Sequence, residues 1–519
     1  MKKLPIGVQD YREIVEENYV YVDKTKYLYD LMTSGKFYFL SRPRRFGKSL
    51  TISTLYYIFK GEKELFRGTY IYDKWDFKEY PVIKISLLDV VSETENDLKE
   101  GLLRIIKKEA KKYNLSLESN HFKYSFDELI ITLSEKKGEK VVILVDEYEK
   151  PILDNVTNKE KAERYREILR DFYVTIKSKD EYIKFVFMTG ITKFTKTGVF
   201  SALNNLNDIS LNKKYSQMLG YTQEELEYYF KEHIEETARE IGMGKEELIE
   251  NLKEYYNGFS FDGRRSVYNP FSILRFFEER EFKNYWFESG SPSFLYEYIK
   301  GRKVTYEELV KYPVSAMDFT TREIEDANAN IFFAQAGYLT FKDVRRYGFE
   351  EEYILDYPNI EVRNSFSKLI LEANYGVEKE KIKEVNREII KSLEKNDIRR
   401  MIEEIKRIIS SIPYNLHRGE ERYYHSLIYT IIASAGVNVT AEELTSIGRS
   451  DIVIEERGKV YIFEIKIDKG AREGIRQIKE KRYYEKYVGK EIYLIGIKIS
   501  SKERNIEEYV IEKIKNQEV

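Results

Sequence analysis

Gly47, Lys48 and Ser49 sit where a short apolar strand gives way to a helical pattern, within FYFLSRPRRFGKSLTISTLYYIFK at residues 37–60. This arrangement suits phosphate. Loop N–H groups and a helix N-terminus donate to phosphate oxygens, the lysine neutralises their charge, and the hydroxyl reaches Mg2+. The position that would carry the first glycine of the usual pattern is Arg42, so the loop opens on a side chain. Arg44 and Arg45 stand beside the phosphates, where guanidinium forks match either the bound nucleotide or a group on a neighbouring subunit. Farther along, VVILVDE at 141–147 reads as a buried strand. Such a strand delivers Asp146 to the Mg2+ shell and Glu147 toward an attacking water.

A second constellation lies in GRSDIVIEERGKVYIFEIKID at 448–468. If Arg457 and Gly458 form a two-residue hairpin turn, Asp451 falls opposite Glu464, and Lys466 shares a face with Glu464. Facing carboxylates repel unless a divalent cation lies between them, so Asp451 and Glu464 are candidate ligands for Mg2+ or Mn2+, with Lys466 orienting water. Upstream, ERYYHSLIYTIIASAG reads as a helix with Glu421 and His425 one turn apart, which makes a further carboxylate available. The plain alternative is a solvated hairpin whose acids and lysine form a surface ion pair.

These residues need a frame. Strands at 37–41, 81–87, 141–147 and 182–190 alternate with helical segments, which gives a right-handed, mostly parallel α/β sheet. A short helix from Tyr27 to Met32 precedes the first strand, and YVDKT before it covers the sheet edge or packs near a base. Thr189 and Gly190 end the fourth strand. Residues 193–211 read as a polar loop over the site, 211–300 as a helical lid, and 301–415 as a packed connector with a charged helix pair at 376–411. Pro413 places a boundary near Ile412. After the hairpin come an amphipathic helix, GAREGIRQIKEKRYYEKY, and a final strand, EIYLIGIKI.

Composition narrows the chemistry. At 519 residues the chain exceeds one core, so two or three domains are expected. With 87 basic against 89 acidic residues, a nucleic-acid surface must be a local patch. The absence of cysteine excludes disulfides, thiolate catalysis and cysteine-based zinc sites, which leaves oxygen-ligand metal chemistry. No apolar run reaches the about 20 residues of a membrane helix, and a cytoplasmic location without membrane contact is expected.

SRPRRFGKS, VDEYEKP, LPIGVQDY and YVDKT resemble the AAA-ATPase-like family, whose phosphate loop characteristically reads R-P-R-R-F-G-K-S. The missing first glycine then follows the family, and Phe46 joins the nucleotide-binding loop. NGFSFDG, VYNPFSIL, GYLTF and DYPNIEVRNSF are similar to further family segments. In the AAA-like group a polar residue at the position of Thr189 senses the γ-phosphate. GRSDIV, FEIKID and QIKEKRYYEKY resemble the PD-(D/E)xK nuclease superfamily domain commonly fused to such ATPases, with Ser450 where the family has proline. By that resemblance Glu421, Asp451, Glu464, Lys466 and Gln477 take the active-site positions.

The expected fold class is α/β: a P-loop NTPase parallel sheet over 1–210, a helical lid and connector over 211–412, and a PD-(D/E)xK restriction-endonuclease-like α/β domain over 413–519. The resemblance implies an ATP-dependent switch or motor coupled to a Mg2+- or Mn2+-dependent nuclease, suited to defence or mobile-element control. The partners expected are nucleic acid and further copies of the chain in a nucleotide-dependent homo-oligomer. The rival reading is a nucleotide-gated protein that binds nucleic acid or a partner without cutting it.

Overall fold

A computed structural model describes residues 1–88, 90–193, 203, 205–290, 294–310, 312–319, 328–444 and 449–514. The chain divides into two units, one of residues 1–290 with 312–359 and the other of 291–311 with 360–519. The region 211–412 is thus shared between them, and the Ile412–Pro413 step lies inside the second unit.

In the first unit, helices α1 (Tyr11–Glu16) and α2 (Thr25–Ser34) precede strand β1 (Phe37–Ser41), which feeds helix α3 (Lys48–Phe59). Strands β2 (Val82–Ser86), β3 (Val141–Asp146), β4 (Ile183–Gly190) and β5 (Asn207–Asp208) complete a five-stranded sheet in the order β2-β3-β4-β1-β5. Every pairing is parallel. A parallel sheet covered on both faces needs apolar side chains in unbroken runs, and β3 is buried at every position. Because β4 lies between β1 and β3, the end of β4 separates the phosphate loop from the acids that follow β3.

The N-terminal motifs are struts. Asp10 caps α1 and accepts hydrogen bonds from Tyr57 and Ser53 on α3. Within YVDKT, Asp23 accepts from Thr25 N and Tyr70 N. The neighbouring Lys24 ammonium is 2.6 Å from Glu225 at the start of the helix Gln223–Tyr229. YVDKT therefore ties the entry of α2 to the helical region. In VYNPFSIL, Asn269 caps the helix Pro270–Glu279 by accepting from Ser272 N, with Pro270 in the first turn. The stretch read as a connector contains a three-stranded antiparallel sheet of Val314–Ser315, Thr340–Tyr347 and Glu350–Asp356.

The second unit holds the charged helix pair, now Lys379–Glu394 and Ile398–Ile409, and a five-stranded mixed sheet. Its strands run Val439–Leu444, Arg449–Glu456, Lys459–Ile467, Glu491–Ser500 and Asn505–Lys513 in spatial order. EIYLIGIKI is therefore not the last strand. NIEEYVIEK follows it as an antiparallel edge strand, and an edge strand is half-exposed, which breaks up its apolar pattern. Helix Glu421–Ser434 precedes the sheet, and helix Ala471–Glu480 links its two parallel strands.

Two glycines set how closely that second helix approaches the sheet. A Cβ on Gly496 would lie 2.0 Å from Ala471 O, and one on Gly474 would lie 3.0 Å from Glu464 O. Among the described residues no helix is long and apolar enough to cross a membrane.

Candidate functional sites

Arg42 explains the missing glycine. Its guanidinium is buried, donates from Nη1 to Ser210 O at 2.8 Å and from Nη2 to Tyr215 O at 3.0 Å, and lies 4.0 Å from the Phe261 ring. Burial lowers its pKa to about 9, against the pull of Asp208 and Asp262, so it stays charged at neutral pH. The side chain is spent on anchoring the loop.

The rest of the loop is fixed residue by residue. Trp286 Nε1 donates to Arg44 O at 2.9 Å. Arg45, at φ +65°, is exposed with its guanidinium 5.0 Å from the Phe271 ring. Phe46 is buried edge-on against Phe259 and Phe261, so it contributes backbone and anchorage to the loop. Gly47 has φ +92°, the left-handed conformation glycine adopts freely, and opens α3.

Lys48 Nζ donates to Arg42 O at 2.9 Å and Pro43 O at 2.8 Å. Burial lowers its pKa, while Asp146, Glu147 and Glu149 oppose that. Ser49 Oγ donates to Asp146 Oδ2 at 2.6 Å, and Thr189 Oγ1 donates to Asp146 Oδ1 at 2.7 Å. Asp146 is thereby held from α3 and from β4 together. Glu147 stands in the left-handed region at φ +51°, and burial raises its pKa against the charges of Lys48 and Arg44.

Glu149 was not singled out from the sequence. It is buried, and its Oε1 accepts from Ile191 N and from Thr192 N at 2.9 Å, while Oε2 has no partner among the described residues. Burial pushes its pKa up to about 7. A Cβ on Gly190 would lie 2.3 Å from Glu149 Oε2, so the glycine makes room for this carboxylate. The available signal was the third acid in VDEYE, two places after Glu147. Most of the polar loop at 193–211 lies outside the described residues.

In the second unit the hairpin register is as expected, with Ile452 opposite Phe463 and Glu456 opposite Lys459. Arg457 and Gly458 have φ +50° and +77°, a turn whose twist matches that of the strands. One step beyond the paired residues stand Asp451 and Glu464. Asp451 Oδ2 accepts from Ile465 N at 2.7 Å, and His425 Nε2 donates to Asp451 O at 2.6 Å. A carbonyl only accepts, so that ring nitrogen carries a proton.

Glu464 is buried, and its Oε1 accepts from Lys466 Nζ at 2.9 Å and from Gln477 Nε2. Its Oε2 has no partner among the described residues. Burial, then the nearby Asp451, pushes the Glu464 pKa up to about 7, and burial likewise raises that of Asp451. Burial works against the Lys466 ammonium, but the hydrogen bond and charge of Glu464 outweigh it and raise its pKa. Glu421 Oε1 is 3.9 Å from Lys466 Nζ. Five expected residues are thus brought together, while Ser450 has no described side chain.

Both settings fit a hard cation in donor chemistry. Ser49 with Asp146 offers a hydroxyl and a carboxylate. Asp451 with Glu464 offers two carboxylates, one with a buried oxygen that has no partner among the described residues. Mg2+ is commonly held by one or two carboxylates, with waters and substrate phosphate completing the shell. Among the described residues no three or more His, Asp or Glu side chains converge as a ligand set.

Comparison with known proteins places these sites in matched regions. Residues 5–200 match the AAA-ATPase-like family model, described as a predicted AAA-ATPase, and residues 419–509 match a PD-(D/E)XK nuclease superfamily model. A protein of Azotobacter chroococcum mcd 1, described as an uncharacterized protein in the vnfD 5′ region, is 36% identical over 524 residues, covering 99% of each chain.

Proposed function

Because the chain belongs to the predicted AAA-ATPase-like family and carries a PD-(D/E)XK nuclease superfamily domain, we propose that it is an ATP-hydrolysing switch coupled to a metal-dependent nuclease acting on nucleic acid. The observation that carries this reading is that both acid constellations are held in place by hydrogen bonds. Asp146 is bonded at one oxygen by Ser49 and at the other by Thr189, and Glu464 is bonded at one oxygen by Lys466 and Gln477.

In the nucleotide half, Lys48 exchanges the Arg42 and Pro43 carbonyls for phosphate oxygens, a stronger partner for a buried ammonium. Thr189 links Asp146 to the end of β4, so a change at the γ-phosphate is felt at the Asp146 carboxylate. Glu147 orients the attacking water and accepts its proton, a role its raised pKa favours.

In the nuclease half, Asp451 and Glu464 would hold the cation and Lys466 would meet water or the scissile phosphate, while Gln477 fixes the Glu464 rotamer. When bound, Mg2+ neutralises phosphate charge and lowers the pKa of a coordinated water. Defence or control of mobile elements suits such a fusion. The deciding experiment incubates purified protein with labelled single- and double-stranded DNA and RNA, with and without ATP and Mg2+ or Mn2+. Metal-dependent cutting that responds to ATP is expected. Absence of both Mn2+ binding and cutting, with any nucleotide present, leaves the binding protein that does not cut.

A further inference from the structure

A cavity of about 340 Å3 in the first unit shares a wall with the phosphate loop but contains none of Lys48, Ser49, Asp146 or Glu147. Its volume lies within the range of small-molecule pockets. Among the described residues, Phe259, Phe261, Phe319 and Phe341 line it. Rings of this kind favour a flat, polarisable ligand.

Among the described lining residues the polar groups are biased toward donors. Lys193 and Asp208 neutralise one another at 2.5 Å. Gln335 uses its Oε1 to accept from Lys193 N at 3.0 Å, and Asn212 uses its Oδ1 to accept from Lys214 N at 2.9 Å. These bonds fix both amides, and among the described residues their NH2 groups have no partner. Such a lining asks for a planar molecule with hydrogen-bond acceptors on its edges. An isolated anion or an alkyl chain would leave the rings or the amides unused.

The wall shared with the loop is Arg42 and Pro43, whose carbonyls hold the Lys48 ammonium. Gly337, also in the lining, packs so closely on Pro43 that a Cβ there would lie 2.6 Å from the proline Cβ. A ligand in the cavity therefore bears on the backbone that positions Lys48. We propose that this cavity is a binding site for a planar, acceptor-rich heteroaromatic molecule of nucleoside size, and that its occupancy alters nucleotide binding at the adjacent loop. The second clause rests on the nucleotide-binding reading above, and the first does not.

The test is calorimetric titration of the full chain with adenosine, guanosine, cytidine and uridine, which lack the phosphates that Lys48 would hold. At least one nucleoside should bind parent and Lys48→Ala protein alike with Kd below about 1 mM. Ala334→Phe, which fills the cavity, should abolish binding. Gln335→Glu keeps the acceptor toward Lys193 N but removes the amide hydrogens, and should weaken binding about tenfold. Thermal melting checks that both variants fold, and if Ala334→Phe does not, Gln335→Glu decides.

Saturating nucleoside should change the ATP affinity of the parent at least about threefold. No binding by any of the four overturns the proposal, as does binding that is lost in Lys48→Ala and competed by ATP. Nucleoside binding without a shift in ATP affinity overturns the regulatory clause. Nucleoside binding by a parent that does not bind ATP upholds the cavity and removes the nucleotide reading instead.

Discussion

Ser49 Oγ and Asp146 Oδ2 lie 2.6 Å apart across a separation of 97 residues. One residue lies in the first turn of the helix after the first strand and the other ends the third strand, with β4 between those strands in the sheet. Their hydrogen bond closes a gap one strand wide, and Thr189 at the end of that intervening strand bonds the other Asp146 oxygen. The sheet order thus sets the spacing of the phosphate loop and the acids.

From this arrangement Lys48→Ala should weaken ATP binding at least about a hundredfold, because the loop loses its phosphate cation while Arg42 remains committed to carbonyls. Glu147→Gln should keep ATP bound and slow hydrolysis by about 10²–10⁴-fold. Calorimetry and phosphate release separate the two. Equal ATP affinity in Lys48→Ala, or unchanged turnover in Glu147→Gln, removes the corresponding role.

Restoring the usual first glycine should harm this loop. Arg42→Gly deletes charged donors to Ser210 O and Tyr215 O and the contact with Phe261. A loss of at least about 2 kcal/mol is expected, since hydrogen bonds from charged groups contribute about 1.5–3 kcal/mol each. Denaturant unfolding of the two proteins measures it, and an unchanged midpoint would show that the guanidinium is dispensable.

Glu149 gives a pH signature. Its folded pKa of about 7 exceeds its ordinary value of 4.5, so its contribution is fully present below 4.5 and is lost as pH rises through about 7. Glu149→Gln keeps an acceptor for Ile191 N and Thr192 N yet cannot ionise. It should flatten the decline in melting temperature across that window, with a gain on the order of 1–3 kcal/mol above it. Parallel melts of parent and variant from pH 4.5 to 8 would refute this.

The central strands were legible because a parallel strand buried on both faces writes an unbroken apolar run. β1 and β3 fall within a residue of the expected limits. The Asp451 and Glu464 register was legible because Arg457-Gly458 fixes the turn and alternation fixes the faces. What stayed hidden depends on distant partners. The place of β4 between β1 and β3 is a tertiary choice, and α1 is too short for its periodicity to stand out. The edge strand Asn505–Lys513 mixes acids with apolar residues because it is half-exposed. Glu149 looked like one more acid in a charged turn until its burial beneath Gly190 was visible.

Gly496 tests how the second site is assembled. Alanine there would place a Cβ 2.0 Å from Ala471 O, so the helix Ala471–Glu480 must move off the strand and carry Gln477 away from Glu464. Overpacking of this kind costs about 1–3 kcal/mol. Gly496→Ala should melt lower and cut less, with ATP binding unchanged. A variant that folds and cuts normally would show that this close approach does not position Gln477.

The most direct test of the carboxylate site uses Glu464→Gln. The amide keeps an acceptor for Lys466 and Gln477 but removes the negative charge on which cation binding depends. Cleavage should disappear while ATP hydrolysis persists. In chelator-treated protein the sign of the stability change follows from the pKa of about 7, raised chiefly by burial and then by Asp451. A raised carboxyl pKa stabilises the fold below 4.5 and loses that contribution as pH rises through about 7. Above pH 7 the metal-free variant should therefore melt no lower than the parent, and saturating Mn2+ should raise the melting temperature of the parent alone. Lys466→Ala should instead keep the Mn2+ shift and lose cutting, because Lys466 bonds the carboxylate and is not a ligand. A Mn2+ shift of equal size in parent and Glu464→Gln would place the cation elsewhere and exclude Glu464 from the metal site.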